Sequence, residues 1–288
     1  MSQVQLITDG TAFLPPERLR ELGVISLPIV AQVGQKTYIY DQQVKGHVEL
    51  LSDLVAQRQE VQIIGPSPDD FRAVFARTLY RTNKMLLILS SGQLSPVLEN
   101  ARLGAQDFMG RCDILILDSE TISMGLGVLV ERAGILLQED VLPLSAIVRQ
   151  LRGMMPHLYV AMISHTLEYL QRSGRLSAMQ AILGSFLGIH PFMEIERGDI
   201  MPLEKSRSAS KALDRLDEFV SEFSNIRELV ILKGAGPEIA AEAAELRAEL
   251  EEILPGINFS TIHYDPILAS HVGPSGLGLV VYEGSRAR

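Results

Sequence analysis

Short apolar segments alternate with segments of helical spacing through the first half of the chain, and no other feature restricts the fold as strongly. VQLIT from Val4 and CDILILD from Cys112 have the length and apolar character of strands buried on both faces. Helical patterns begin near Ser67, Ser95 and Ser123. Strands and helices that alternate in this way predict an α/β fold with a mostly parallel sheet and helices on both of its faces.

Turn and cap signals define individual elements within this pattern. VISLPIV from Val24 and KTYIY from Lys36 predict two strands joined by a Gly-containing turn. Ser67 is followed by Pro68 and two acidic residues, which is the pattern of an N-cap, a proline in the first turn and acids near the positive end of the helix dipole. The sequence therefore predicts a helix that begins directly after Ser67.

The pattern changes after Pro156, where strands become more frequent. The segment PFMEIERGDIMPLEKSR from Pro191 predicts a β-hairpin with its turn at residues 197–199, where a glycine suits the turn geometry. No low-complexity linker separates the two halves. We therefore predict two closely packed domains, an N-terminal α/β domain at residues 1–156 and a C-terminal α+β domain at residues 157–288.

Charge and composition exclude several classes of function. The chain has 26 Lys and Arg and 35 Asp and Glu, a formal net charge of −9. A general nucleic-acid binder is not expected, because phosphate affinity comes from clustered basic residues. No apolar run approaches the ~18 residues of a membrane helix, and the N-terminus lacks the features of a secretory signal. With a single cysteine, Cys112, no internal disulfide can form, and we expect a cytoplasmic protein.

The apolar content is mostly aliphatic. Hydrophobic residues make up 47% of the chain, yet aromatic residues make up 6% and tryptophan is absent. Two interpretations remain open at this point. The aliphatic residues form an ordinary core, or they also line a cavity that suits a flexible hydrocarbon ligand.

Motifs of the common enzyme classes are not found. A dinucleotide fingerprint should follow the first strand, where the chain has TDGT from Thr8 instead. The nearest match, Gly234-Ala235-Gly236, has Ile239 at the third glycine position. The sequence contains no G-K-[ST] and no G-x-S-x-G, and no two histidines have metal-ligand spacing. We therefore expect no metal and no cofactor.

Small polar loops follow several of the predicted strands, and in a parallel sheet such loops meet at one edge, where ligands usually bind. Ser91 and Ser95 lie in one loop, and His271 and Gly273 lie in another. Ser95 stands where a helix is predicted to begin, so its hydroxyl and the following amides could bind a carboxylate or a phosphate. The alternative is that Ser95 is only a helix cap.

Seven segments, taken in order, resemble the DegV family of bacterial lipid-binding proteins, and the resemblance runs from about Val4 to Tyr282. They are TDGTAFLPPE near the start, GPSPDDF from Gly65, SSGQLSPVLENARLGA from Ser90, DSETISMGLG from Asp118, TLEYLQRSGRLS from Thr166, PLEKSRSASKAL from Pro202 and SHVGPSGLGLVV from Ser270.

The resemblance implies two α/β domains with a long-chain fatty acid in an aliphatic tunnel between them. It also implies a carrier role, in which the protein presents the carboxylate to a separate ATP-dependent fatty acid kinase. Residues that match family positions for the head group are Ser95, His271 and Ile63, the last followed by Ile64. We add Ser91 and the amides near Gly273 as further donors. Arg207 matches a position linked to kinase docking.

The chain departs from the family pattern at the head group. Ile63 stands where the family has a threonine, so one side-chain donor is missing, and Pro96 replaces the glycine after the motif serine. The alternatives to a carrier are a small-molecule kinase or hydrolase that uses the same crevice, and an interaction module with an ordinary aliphatic core. We favour the carrier, because no nucleotide loop or activated nucleophile is visible.

Overall fold

The computed structural model describes residues 4–40, 49–54, 61–165, 167–172, 189–257 and 259–284. The strands are β1 (Gln5–Asp9), β2 (Ile25–Leu27), β3 (Ile29–Val33), β4 (Lys36–Tyr40), β5 (Val61–Ile64), β6 (Lys84–Leu89), β7 (Asp113–Asp118), β8 (Leu158–Ser164), β9 (His190–Glu196), β10 (Asp199–Ser206), β11 (Ile226–Lys233), β12 (Phe259–His263) and β13 (Gly276–Glu283). The helices are α1 (Pro16–Glu21), the described part of α2 (49–54), α3 (Pro68–Leu79), α4 (Val97–Ala105), α5 (Met124–Glu139), α6 (Leu144–Met154), α7 (Glu168–Arg172), α8 (Ala209–Ser221), α9 (Pro237–Ile253) and α10 (Pro266–Val272).

The first half contains the predicted parallel sheet, in the order β2–β1–β6–β7. Along β6 the buried side chains alternate between two cores. Leu86 and Ile88 pack with residues of α5 and α6, whereas Met85 and Leu87 pack with residues of α3 and α4. The prediction of a parallel sheet with helices on both faces is therefore confirmed.

The segment VISLPIV is not one strand, as the sequence predicted, but two strands in different sheets. β2 pairs with β1 in the parallel sheet, while β3 pairs with β4 and β5 in an antiparallel sheet of three strands. Pro28 lies between β2 and β3. Because proline has no N–H to donate to a ladder, it interrupts the strand, and the chain changes sheet at this point.

The second half is built on a six-stranded sheet in the order β10–β9–β8–β13–β11–β12, in which only β11 and β12 are parallel neighbours. The predicted hairpin is confirmed as β9 and β10, with Arg197 and Gly198 in its turn. On the outer face, Ala161 and Ile163 pack against α8 and α9. The TLEYLQRSGRLS segment is described only at residues 167–172.

The inner face of this sheet shares a core with the first half. Val160, Met162 and Val280 belong to the same cluster of buried side chains as Ile7 and Leu87. The halves therefore pack directly against each other through apolar side chains. The division at residue 156 stays a prediction, since one core extends across it. No helix among the described residues is long and apolar enough to cross a membrane.

Helix starts test the cap predictions. Ser67 forms a full capping box: its hydroxyl accepts from the Asp70 amide, and the Asp70 carboxylate accepts from the Ser67 amide at 2.8 Å. The helix predicted to begin near Ser95 begins instead at Val97, with Pro96 at the N-cap position and no side-chain cap bond. Proline has a fixed φ that suits a helix start but no side-chain acceptor, which explains the missing cap.

Candidate ligand site at the carboxyl edge of the parallel sheet

Asp9, at the end of β1, links the polar loops at the carboxyl edge of the parallel sheet. One carboxylate oxygen accepts from the amide and the hydroxyl of Thr11, at 2.9 and 2.5 Å, and the other accepts from the Ser90 amide at 2.7 Å. Asp9 is fully buried. These bonds hold the loop after β1 against the loop after β6, as expected where parallel strands end at the same edge.

Ser91 organises the turn at residues 91–95, which we call the Ser91–Ser95 turn. Its amide donates to the Thr121 carbonyl at 2.9 Å, and its carbonyl accepts from the amides of Leu94 and Ser95, both at 3.1 Å. Its hydroxyl donates to the Gly198 carbonyl at 2.6 Å and accepts from the Gln93 amide at 3.1 Å. The one hydroxyl proton of Ser91 therefore already has an acceptor within the protein.

Ser95 differs from Ser91 in the use of its hydroxyl. The side chain is buried, and its oxygen accepts from the Val97 amide at 3.3 Å. Among the described residues no acceptor takes the Ser95 hydroxyl proton. A hydroxyl that accepts one bond keeps its own proton to donate, so Ser95 can still bind an anionic group.

His271 lies in the last turn of α10 and contacts the Ser91–Ser95 turn from the second half of the chain. Its Nε2 is 3.1 Å from the Leu94 carbonyl oxygen. A carbonyl only accepts, so the ring carries its proton on Nε2 in this contact. The structure therefore brings His271 next to Ser95, although 176 residues separate them in the sequence.

Gly273 ends α10 with a φ of 85°, in the left-handed region that favours glycine. Its amide donates to the Ala269 carbonyl at 2.9 Å, and its carbonyl accepts from the Tyr264 hydroxyl at 2.6 Å. The Gly273 amide itself therefore closes the end of the helix that carries His271, and donors among the neighbouring amides stay a prediction.

Ile63 and Ile64 end β5 beside the start of α4. Ile63 is half-buried against the shared core, and Ile64 is 42% exposed. Gly65 follows and approaches Val97 so closely that a Cβ would lie 2.7 Å from its Cγ2. The side-chain amide of Asn100 donates to the Pro66 carbonyl at 2.9 Å. The end of this segment therefore lies next to Val97, two residues after Ser95, and the head-group role of Ile63 and Ile64 stays a prediction.

Arg207 is not part of this site. It is exposed and directly follows β10. The hairpin turn at Gly198 contacts the Ser91–Ser95 turn, and the eight residues of β10 span about 26 Å from there. The residue predicted to dock a partner is thus well separated from the predicted head-group residues.

Sequence reasoning missed a buried acidic pair beneath the site. Asp265 caps α10 by accepting from the Leu268 amide at 3.0 Å, and it is fully buried. Burial, together with the nearby Asp9 carboxylate, raises the pKa of Asp265 to about 7. Burial also raises the pKa of Tyr40, with Asp265 and Asp9 as further causes. The Asp-Pro pair at 265 and 266 was a helix-start signal that could have identified the cap.

Hydroxyl groups predominate among the buried polar side chains at this edge. Buried polar residues there are Thr8, Asp9, Thr11, Ser90, Ser91, Ser95, Ser119, Thr121, Ser123 and Asp265. No group of three His, Cys, Asp or Glu among the described residues could hold a metal ion. Cys112 lies at the opposite end of β7, and burial raises the pKa of its thiol, which disfavours the nucleophilic thiolate.

The fold defines a class of α/β proteins in which a parallel sheet, a six-stranded sheet and a small antiparallel sheet pack on one core, with polar loops at the carboxyl edge of the parallel sheet. The DegV family model, described as an uncharacterised protein family, matches residues 3–284. The chain therefore belongs to the DegV family.

Individual relatives agree with this assignment. A DegV domain-containing protein from Deinococcus radiodurans is 28% identical over 282 residues, which cover 96% of this chain and 98% of the relative. The structure of a DegV family protein from Thermus thermophilus, described by its fatty acid binding, matches with a TM-score of 0.82 and 26% identity, over 98% of this chain and all of that one. A fatty acid binding DegV family protein from Streptococcus agalactiae matches with a TM-score of 0.86 and 22% identity, over 99% of this chain and all of that one, and so supports the fold.

Proposed function

We propose that this protein binds a long-chain fatty acid, with the carboxylate at Ser95 and His271. The observation that carries the proposal is the buried Ser95 hydroxyl, whose proton has no acceptor among the described residues and which lies beside a histidine from the other half of the chain. The fatty acid binding of the Thermus thermophilus relative supports the same ligand class.

The energetics favour an acyl chain as the main source of affinity. Burial contributes about 0.8 kcal/mol per methylene, so a ~16-carbon tail supplies on the order of 10 kcal/mol before the costs of binding. Aliphatic side chains predominate in the core that the two halves share, and such side chains would suit the walls of an acyl site. An interdomain tunnel remains part of this proposal.

The carboxylate has to be hydrogen-bonded, because a buried unpaired charge is costly. Ser95 donates one charge-assisted bond, and His271 contacts the same turn at Leu94. Ile63 offers no hydroxyl, so the head group depends more on Ser95 than it would with a threonine at that position. Ile64, partly exposed beside it, contributes apolar contact.

We also propose that the protein is a carrier without catalytic activity of its own. In this proposal it is cytoplasmic and presents the carboxylate to a separate ATP-dependent fatty acid kinase. Arg207 would contact that partner. Its exposure and its distance of about 26 Å from the hairpin turn fit a docking role and not a role in ligand binding.

Binding is tested by organic extraction and mass spectrometry of the purified protein, followed by calorimetry with hexadecanoic acid. We expect Ser95→Ala to weaken binding by about 1–3 kcal/mol, the cost of an under-satisfied buried charge. Ser221→Ala is the control, because Ser221 lies on α8, away from this edge, and its hydroxyl also donates to a backbone carbonyl, that of Asp217 at 2.9 Å. Absence of extracted lipid together with no heat of binding would reject the proposal.

The docking role is tested with Arg207→Glu. We expect hexadecanoic acid affinity to stay unchanged while acyl-phosphate formation with a cognate kinase and ATP is lost, since charge reversal slows steered association. Arg81→Glu, at an exposed arginine of the first half, is the control for charge reversal alone. Loss of acid binding in Arg207→Glu would instead place this residue at the ligand, and normal phosphorylation would make it an ordinary surface charge.

A further inference from the structure

The turn of the β9–β10 hairpin is fastened to the Ser91–Ser95 turn by one buried hydrogen bond. The Ser91 hydroxyl donates to the Gly198 carbonyl at 2.6 Å, and 107 residues separate the two positions. We call this contact the Ser91–Gly198 clasp. It joins the carboxyl edge of the parallel sheet to a hairpin of the six-stranded sheet.

Gly198 is built for close approach. Hairpin turns are usually exposed, yet Gly198 is buried and has a φ of 83°. A Cβ at this position would lie 2.3 Å from the Ser91 hydroxyl oxygen and 3.3 Å from the Glu120 Cα. Both the conformation and the space therefore require glycine where the hairpin meets the loop.

Ser91 links this contact to the conformation of the Ser91–Ser95 turn. The carbonyl that receives the Leu94 and Ser95 amides belongs to the residue whose hydroxyl holds Gly198. A change in the backbone conformation of Ser91 would therefore disturb the two hydrogen bonds that set the position of Ser95. His271 contacts the same turn at Leu94, so the second half of the chain contacts the Ser91–Ser95 turn at two points.

We propose that Ser91 and Gly198 are positioning residues, which hold the Ser91–Ser95 turn in the one conformation that presents the Ser95 hydroxyl to a bound carboxylate. This inference rests on the proposed function. Ser91 acts through Ser95 and not as a head-group donor, because its proton is committed to Gly198. Preorganised donors bind an anion more tightly, since no ordering cost falls on the binding step.

The affinity test compares hexadecanoic acid with hexadecan-1-ol, which shares the tail but lacks the carboxylate. We expect Ser91→Ala to weaken acid binding about 10-fold and to leave alcohol binding within 2-fold. Ser221→Ala, which also removes a serine hydroxyl bonded to a backbone carbonyl but lies on α8 at the outer face of the six-stranded sheet, should change neither. In a Ser95→Ala background, Ser91→Ala should cause no further loss, because neighbours that act as one unit are not additive.

A second variant and a ligand-free measurement keep the test decisive. Gly198→Ala disturbs the clasp from the hairpin side and should reproduce the acid-selective loss. Hydrogen exchange at the amides of Leu94 and Ser95, measured without ligand, should be at least 10-fold faster in Ser91→Ala than in the wild type or Ser221→Ala.

The outcomes separate this inference from the proposed function. If the wild type binds no fatty acid, the proposed function fails, and so does the role of the clasp in ligand binding. If hydrogen exchange at the Leu94 and Ser95 amides is unchanged in Ser91→Ala, the clasp is also rejected as a restraint on the turn. If the wild type binds the acid, equal losses for acid and alcohol would reduce Ser91 to a structural residue. Additive losses in the double variant would make it a direct head-group donor.

Discussion

Replacement of Asp265 with asparagine should make the protein more stable at neutral and alkaline pH, and by an amount that grows with pH. Asp265 is fully buried at the N-cap of α10, next to Asp9 and within electrostatic reach of Tyr40 and Tyr264. One of its carboxyl oxygens accepts from the Leu268 amide, and the other has no partner among the described residues. Asparagine keeps the capping oxygen and carries no charge.

The magnitude follows from the raised pKa of Asp265. Burial moves that pKa from 3.8 to about 7 in the folded protein. Between these values the folded state holds a proton that the unfolded chain releases, so stability is lost as pH rises through this window. Between pH 5 and pH 7 the unfolded carboxyl is ionised and the folded one is mostly neutral. At about 1.36 kcal/mol per pH unit, this group lowers the unfolding free energy of the wild type by about 2.5 kcal/mol between pH 5 and pH 8.

The assay is urea unfolding of the wild type and Asp265→Asn at pH 5, 6, 7 and 8. Burial also raises the pKa of Asp217 and of Glu228 to about 7, so the wild-type profile alone does not isolate one carboxyl. The difference between the two proteins does, because Asp217 and Glu228 are present in both. Asp113→Asn, at an exposed aspartate, controls for the substitution itself. A free-energy difference that stays constant from pH 5 to pH 8 would refute the reasoning.

Two further predictions concern the head group and the loop that follows α10. Ile63→Thr restores a hydroxyl at the end of β5, and we expect calorimetry to show several-fold tighter binding of hexadecanoic acid, with Ile63→Val as the control of similar shape; equal affinities would place residue 63 away from the carboxylate. Tyr264→Phe removes a buried hydroxyl that donates to Gly273 and accepts from the Gly276 amide at 3.1 Å. Its unfolding free energy should fall by about 1–3 kcal/mol because two buried backbone groups lose their partner, and an unchanged urea midpoint would contradict this.

Signals from residues close together in the sequence were sufficient to predict most of the helices and strands. The capping box at Ser67 and the hairpin around Gly198 depend on residues a few positions apart, and both were predicted. Errors arose where one residue interrupts a continuous pattern. Pro28 divides an apolar segment between two sheets, so the prediction of one strand there was wrong.

The candidate site shows the same division. Ser95 and His271 were selected from the sequence by their loops and their resemblance to family segments, and the structure brings them together through Leu94. Gly273 was selected as a donor from its glycine-rich loop, but its amide closes α10. Whether an amide or a hydroxyl is free depends on which distant carbonyl approaches it, and the residue type does not reveal this.

The sequence by itself determined most of the strands and helices, the parallel sheet and the family, because these depend on periodicity and on motifs of neighbouring residues. Only the tertiary structure decided that the Ser91 proton is given to Gly198, that Asp265 lies buried beside Asp9, and that Arg207 lies far from the Ser91–Ser95 turn. Each of these depends on contact between residues distant in the chain. Such contacts set desolvation and hydrogen bonding, and these two effects fix the protonation and the available donors of the site.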